Sequence, residues 1–342
     1  PGLAVHAGDG TETRGLAVAR RGAVNARSDS SRPRYCGRYA PSPTGPLHFG
    51  SLVAAIASYC DARAAGGQWL LRIEDVDLPR SRPDAESAIL ATLERYGFAW
   101  DGEVTRQSAR TELYAAALDR LRANADVYAC ACSRRELETA AFGAGGERVY
   151  PGTCRDGIPP DRRERPQHAW RARVGSTRIE YRDRLQGLQA QDLARDVGDF
   201  VVRRADGLYA YQLAVVVDDA LQEITHVVRG ADLLASTPRQ IFLQRRLAYP
   251  PLSYLHVPVA INAAGEKLSK QTGAAPLPDH PLPALIAAWR FLGQRLPDGS
   301  GAPDATADFW PWAIAAWNPA LLPPTGMLPV PPGFEGAARV KV

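Results

Sequence analysis

The sequence predicts an α/β fold, a doubly wound parallel sheet interrupted by an inserted subdomain. Three observations lead there. From residue 35 onward, short apolar strands alternate with longer helical patterns, the order that builds parallel sheets. The first strand runs into a Pro-, Ser- and Gly-rich turn at 41–45, ahead of an apolar helix. The alternation breaks near Tyr128, where cysteine, glycine, proline and charged residues take over, and resumes near residue 199.

Residues 35–39 read as a strand and 51–65 as a helix. Residues 68–73 form a second strand ending in Glu74 and Asp75, followed by helices at 84–96 and 109–123. Ligands of parallel sheets sit at the carboxyl ends of strands, so the 41–51 turn and the 74–77 segment can serve one pocket. The segment from 128 to about 184 reads as an insertion. The sheet is expected to resume at 200–203, with a helix at 211–220, a strand at 224–228, a helix at 237–248 and a strand at 256–261. Beyond 292 the chain turns Pro-, Ala- and Trp-rich, and 319–333 is expected to be irregular.

With 342 residues, 45% hydrophobic and 23% charged, the chain can bury a sizeable core in two domains. A net charge of +4 is compatible with a polyanionic partner without demonstrating one. Apolar runs are short: the one at 213–217 soon meets Asp218 and Asp219, so no membrane partner is expected. Five cysteines, an odd number, suit a reducing cytoplasm with thiols free or on metal. Residues 1–34 are Arg-, Ala-, Gly- and Ser-rich and lack periodicity. They are expected to be a disordered extension without a catalytic role.

Two stretches carry phosphate chemistry. In the first, residues 38–51, His48-Phe49-Gly50 opens the apolar helix, whose unpaired N–H groups and positive dipole end face the turn. Gly50 would let a flat nucleotide lie against the backbone, and His48 can donate to a phosphate oxygen. The second, Lys267-Leu268-Ser269-Lys270-Gln271, places two lysines on one polar loop suited to clamping pyrophosphate. A third cluster is Cys130, Cys132 and Cys154: three thiolates plus one oxygen or nitrogen would complete a tetrahedral zinc site. On ligand chemistry alone His168 is the usual fourth donor. Cys36 and Cys60 read as small core hydrophobes.

Residues 35 to about 295 resemble class I aminoacyl-tRNA synthetases of the glutamyl type. The resemblance rests on residues 38–45 (RYAPSPTG), 47–51 (LHFGS), 72–75 (RIED), 209–219 (YAYQLAVVVDD), 228–232 (VRGAD) and 267–271 (KLSKQ). Ser51 replaces the last histidine of the His-x-Gly-His signature and Gln271 the last serine of the lysine loop. Both departures are similar to a short paralogue group without an anticodon-binding domain.

This implies a class I Rossmann-type sheet with an inserted zinc-binding subdomain. The implied plan has catalytic halves at 35–127 and 199–271, the insert at 128–198 and a short helical and Pro-rich region at 272–342. The resemblance implies a monomeric ligase that activates L-glutamate with ATP and Mg²⁺. It implies catalytic roles for His48, Lys267 and Lys270, and ATP contacts from His48, Gly50, Ser51 and Lys270. Glutamate would meet Arg38, Tyr39, Ala40, Pro41, Ser42, Glu74, Tyr211 and Arg229, with the two arginines on the carboxylates and Glu74 on the ammonium group. Tyr150 is the implied fourth zinc ligand beside Cys130, Cys132 and Cys154. The implied acceptor is queuosine in the anticodon loop of tRNA(Asp), with Arg203, Arg204, Arg239, Arg245 and Arg246 as candidate phosphate contacts. Alternative readings are a truncated synthetase charging the 3′ end of tRNA(Glu), an RNA-independent adenylating ligase, or an inactive RNA-binding module.

Overall fold

Strand β1 (Cys36–Tyr39) is buried along its whole length and feeds, through the Pro/Ser/Gly turn, into helix α1 (Phe49–Ala64). Gly67 closes the return, because a Cβ there would come within 2.5 Å of the Tyr35 carbonyl oxygen. Strand β2 (Gln68–Ile73) then lies parallel to β1, with Cys36 opposite Gln68 and Tyr39 opposite Leu71. Helix α2 (Pro83–Arg95) crosses over to the short strand β3 (Thr105–Arg106), also parallel to β2. Helix α3 (Thr111–Ala123) follows. These coordinates are a computed structural model, which describes residues 35–77, 81–143, 146–269, 273–297 and 303–335. The extension expected at 1–34 lies outside the described residues.

The chain then leaves the parallel sheet. Strand β4 (Val127–Cys130) precedes the one-turn helix α4 (Arg134–Leu137), which is capped reciprocally by Ser133 and Glu136. Strand β5 (Ala169–Ala172) pairs antiparallel with β4. A hairpin of β6 (Arg178–Asp183) and β7 (Gly187–Asp192) and the short helix α5 (Leu193–Asp196) come next. Strand β8 (Val201–Arg203) pairs antiparallel with β5. The strand expected to resume the parallel sheet at 200–203 therefore completes the antiparallel sheet β4-β5-β8 instead.

The return comes with helix α6 (Tyr211–Leu221) and strand β9 (His226–Gly230). Thr225 donates its N–H to the Cys36 carbonyl at 2.9 Å, setting β9 beside β1. Helix α7 (Thr237–Arg246) leads to β10 (Ser253–Val257), parallel to β9 on one side and to β6 on the other. The single strand expected at 256–261 is two: Pro258, which has no N–H for a ladder, separates β10 from β11 (Val259–Ile261).

Helices α8 (Pro281–Phe291) and α9 (Thr306–Ala316) complete the helical part. They bring Trp289, Phe309 and Trp310 against the buried face of α1, where Leu52, Val53 and Ile56 are about 1% exposed or less. The segment expected to be irregular supplies strand β12 (Met327–Pro329), which pairs parallel with β11. Among the described residues no helix is long and apolar enough to cross a membrane.

Candidate active site

A cleft of about 830 Å³ opens where β1, β2, β9 and β10 end. Arg38, Tyr39, Ala40, Pro41, Ser42, Glu74, Tyr211 and Arg229 all line it, together with His48, Gly50, Ser51 and Lys267. Lys270 lies outside the described residues, whereas Ser269 just before it lines the same cleft.

At the phosphate end, His48 caps α1 in extended conformation, and its carbonyl accepts the Leu52 N–H at 3.0 Å. The N–H groups of the first turn thus have no acceptor within the helix. A Cβ on residue 50 would meet the His48 ring at 3.2 Å, so glycine makes room for that ring rather than for a nucleotide alone. Tyr39 reaches the cleft but is committed to the core: its ring stacks on Trp69, and its hydroxyl donates to the Ser51 carbonyl at 3.2 Å. The segment that follows the lysine loop is tied to this turn by backbone bonds. Leu277 donates to the Leu47 carbonyl at 3.0 Å, and His48 bridges to Pro276. Leu268, 1% exposed, donates to the Ala260 carbonyl at 2.8 Å and anchors the loop beside Lys267. The Lys267 ammonium group pairs with Asp232 across the cleft wall.

At the other end, buried acids hold the guanidinium groups. Asp219 Oδ1 accepts from Arg38 Nε at 3.1 Å and from Arg72 Nη2 at 2.7 Å. Arg72, fully buried, also donates to Gln222 Oε1 at 2.6 Å and lies 3.5 Å from Glu74 Oε1. Arg38 and Glu74 do not form an ion pair with each other: Arg38 pairs with Asp219, and Glu74 lies against Arg72. Glu74 Oε1 is buried without a hydrogen-bond donor among the described residues. Burial raises the Glu74 pKa against the pull of Arg72 and Arg38, with Asp219 and Asp218 adding to the rise. Burial would also raise the Asp219 pKa, but Arg38 and Arg72 hold it below the usual carboxylate range. Asp218 is saturated by Gln107, Arg110 and Tyr114.

Arg229, 5% exposed, is held from four sides. Its Nε donates to His256 Nε2 at 3.0 Å, and Nη2 donates to Thr237 Oγ1 and Gln240 Oε1, both at 2.8 Å. Its Nη1 reaches the Tyr211 hydroxyl at 3.3 Å, and burial raises the Tyr211 pKa. The sequence reading missed Arg72, Asp219, Thr237, Gln240 and His256 as parts of this site. One signal was available: two adjacent acids, Asp218 and Asp219, end an apolar helical run and so call for buried cationic partners.

The cysteine cluster forms a second site. Cys130, Cys132 and Cys154 place their sulfurs within 4.8 Å of one another, and all three thiols are free of disulfides. The Tyr150 hydroxyl lies 3.3 Å from Cys130 Sγ and 3.6 Å from Cys132 Sγ and accepts the Cys154 N–H at 2.9 Å. His168 is not in the group of ligand atoms, so position favours Tyr150 as the fourth donor. Arg171 Nε donates to Cys130 Sγ at 3.3 Å and Arg162 Nη1 to Cys132 Sγ at 3.1 Å, contacts that stabilise thiolates. Among the described residues the apolar surround of the cluster is small, Tyr128 with the partly buried Leu137 and Ile158, so the donor set fits a structural metal. Of the five candidate phosphate-contacting arginines, Arg203, Arg204, Arg239 and Arg246 have partners within the chain, namely Gly207, Asp77, Glu147 and Asp126. Cys36 and Cys60 are buried.

The family model for the catalytic domain of class I (E and Q) tRNA synthetases matches residues 36–278. A glutamyl-Q tRNA(Asp) synthetase from Aromatoleum aromaticum is 55% identical over 314 residues, covering 91% of this chain and 98% of the relative. One from Dechloromonas aromatica is 58% identical over 300 residues, covering 87% and 98%. Among solved structures, a glutamate-tRNA synthetase from Elizabethkingia anophelis shares the fold with a TM-score of 0.71 at 24% identity, covering 86% of this chain and 68% of that one. The match over residues 36–278 and the two near full-length relatives agree with the cleft, and the chain belongs to the class I glutamyl-type tRNA synthetases, in the glutamyl-Q tRNA(Asp) synthetase family.

Proposed function

We propose that the chain activates L-glutamate with ATP and passes the glutamyl group to queuosine at the wobble position of tRNA(Asp). The observation that carries this reading is one cleft holding two guanidinium groups, Arg38 and Arg229, beside Glu74, whose Oε1 has no hydrogen-bond donor among the described residues, with His48 and Lys267 toward its other end. A dicarboxylate amino acid offers the matching set, two anions and one ammonium group. Ser42 and the backbone from Ala40 to Ser42 would add hydrogen bonds, and Tyr211 would close one side.

In the first step the glutamate α-carboxylate attacks the α-phosphorus of ATP, and pyrophosphate leaves. The nucleophile is already ionised, so no general base is needed. Rate would come from in-line positioning and from charge stabilisation by His48, the first turn of α1 at Gly50 and Ser51, and Lys267 with Lys270. Mg²⁺ would accompany the triphosphate. In the second step a queuosine hydroxyl attacks the adenylate carbonyl, forming the ester and releasing AMP. Cys130, Cys132, Cys154 and Tyr150 would hold one zinc ion, which fixes the insert structurally when bound. The domain plan is retained with that insert between two catalytic halves. The proposed insert spans 128–198, between catalytic halves at 35–127 and 199–271.

Incubation with labelled glutamate, ATP and either queuosine-containing tRNA(Asp) or tRNA(Glu), followed by nuclease digestion, tests the reading. Label on the anticodon nucleoside is expected. Label on the terminal adenosine of tRNA(Glu) would overturn it in favour of 3′-end charging.

A further inference from the structure

We infer that Asp183 and His256 form a buried relay that fixes the orientation of Arg229, making both of them positioning residues for the glutamate carboxylate. The inference rests on the reading above, in which Arg229 meets the amino acid.

Hydrogen-bond logic sets the direction of the relay. An Arg Nε–H can only donate, so His256 Nε2, 3.0 Å away, must accept. The imidazole proton then sits on Nδ1, where Asp183 Oδ2 accepts it at 2.7 Å. Asp183 is itself fixed: its Oδ1 accepts the N–H groups of Leu185 at 3.0 Å, Gln186 at 2.8 Å and His256 at 3.3 Å. His256 is fully buried and Asp183 1% exposed, so no solvent competes for these bonds. Burial also lowers the His256 pKa, with Arg229 adding to the fall against Asp183, which keeps the ring neutral and able to accept. Thr237 closes the loop, its Oγ1 lying 3.1 Å from His256 Nε2 and accepting from Arg229 Nη2. The Asp183–His256–Arg229 chain joins the terminal β6 residue, a β10 residue and a β9 residue, on three neighbouring strands that run parallel within one sheet.

Asp183 therefore selects the tautomer that His256 presents to Arg229, as the carboxylate of a catalytic triad selects that of its histidine. Asparagine at 183 can keep its oxygen for the backbone donors, turning its NH₂ toward His256 Nδ1. The proton would move to Nε2, and two N–H donors would then face each other at Arg229.

Glutamate-dependent ATP–pyrophosphate exchange in Asp183→Asn, His256→Gln and the double variant tests this. In His256→Gln the amide oxygen can accept from Arg229, and there is no tautomer to select. Asp183→Asn should raise the glutamate KM roughly tenfold or more, with the ATP KM moving by no more than about twofold. Added to His256→Gln, it should cause no further rise. An equal rise in both backgrounds would mean that Asp183 only shapes its own turn, and would overturn the relay. Imidazole ¹⁵N spectra give a readout without turnover: Nδ1–H is expected in the unmutated protein, and Nε2–H there would refute the inference. Failure of the underlying reading looks different. The unmutated enzyme would then show no glutamate-dependent exchange while the tautomer stayed as described.

Discussion

Replacing Glu74 by glutamine keeps the size of the side chain and removes one negative charge from the cleft wall. Arg72 is not orphaned by the change, since Asp219 at 2.7 Å and Gln222 at 2.6 Å remain. Binding should suffer. A hydrogen bond between charged groups contributes about 1.5–3 kcal/mol, which corresponds to a rise in glutamate KM of roughly 10- to 150-fold. Stability should move the other way. Burial raises the Glu74 pKa despite Arg72 and Arg38. A carboxyl with a higher pKa folded than unfolded binds its proton more tightly in the fold. Its contribution to stability therefore falls as pH rises from the unfolded value through the folded one, and stays lower above it. Glutamine has no such slope. Thermal melts from about pH 4 to about pH 8 should show the variant gaining on the unmutated protein toward neutral pH. Pyrophosphate exchange at varied glutamate reads the KM. An unchanged KM, or a variant less stable at neutral pH, would refute the reasoning.

Lys270→Ala should abolish pyrophosphate exchange while leaving the melting temperature unchanged; near-normal exchange would refute its assignment to the triphosphate. Cys132→Ser should release one equivalent of zinc and lower the melting temperature, and metal analysis finding no zinc in the unmutated protein would remove that claim. Asp61 accepts from Arg184 at 2.6 and 2.9 Å, from Tyr35 at 2.6 Å and from Trp317 at 3.1 Å, joining α1, the insert and the C-terminal segment. Asp61→Ala should cost about 3 kcal/mol, the low end for a broken buried pair because Arg184 is partly exposed. Burial would raise the Asp61 pKa, yet Arg184, Tyr35 and Trp317 hold it lowered. Its stabilisation is therefore present above the unfolded pKa and lost as pH falls through the folded one. The gap in melting temperature between Asp61→Ala and the unmutated protein should close in acid; a constant gap would refute the ionic account.

What was legible in the sequence is what local order encodes. The strand-end turn at 41–51, the Glu74 position after β2 and the lysine loop each sit in a run of residues that signals its own shape, and the first two together with residues 267–269 of the loop line one cleft. The hairpin β6–β7 was not legible because the exposed β6 positions carry Arg and Glu, whereas β7 exposes Leu188 and Ala190 and turns Gln189 and Gln191 inward, so no shared apolar alternation marks the pair. Strand β12 is three residues long and ends in Pro329, too short to show a period of two. The partners of the two cleft arginines were hidden for another reason, sequence distance. Arg38 meets Asp219 across 181 positions, and His256 meets Asp183 across 73. A pattern of residue types along the chain can say that a cation belongs at a strand end. It cannot say which acid will aim it, because that depends on which strands the sheet brings together. Here the sheet order β6-β10-β9 does the aiming for Arg229. The acid that ends the α6 apolar run does it for Arg38. A variant that keeps both arginines but disturbs either acid should therefore keep the two cations of the pocket and lose their geometry.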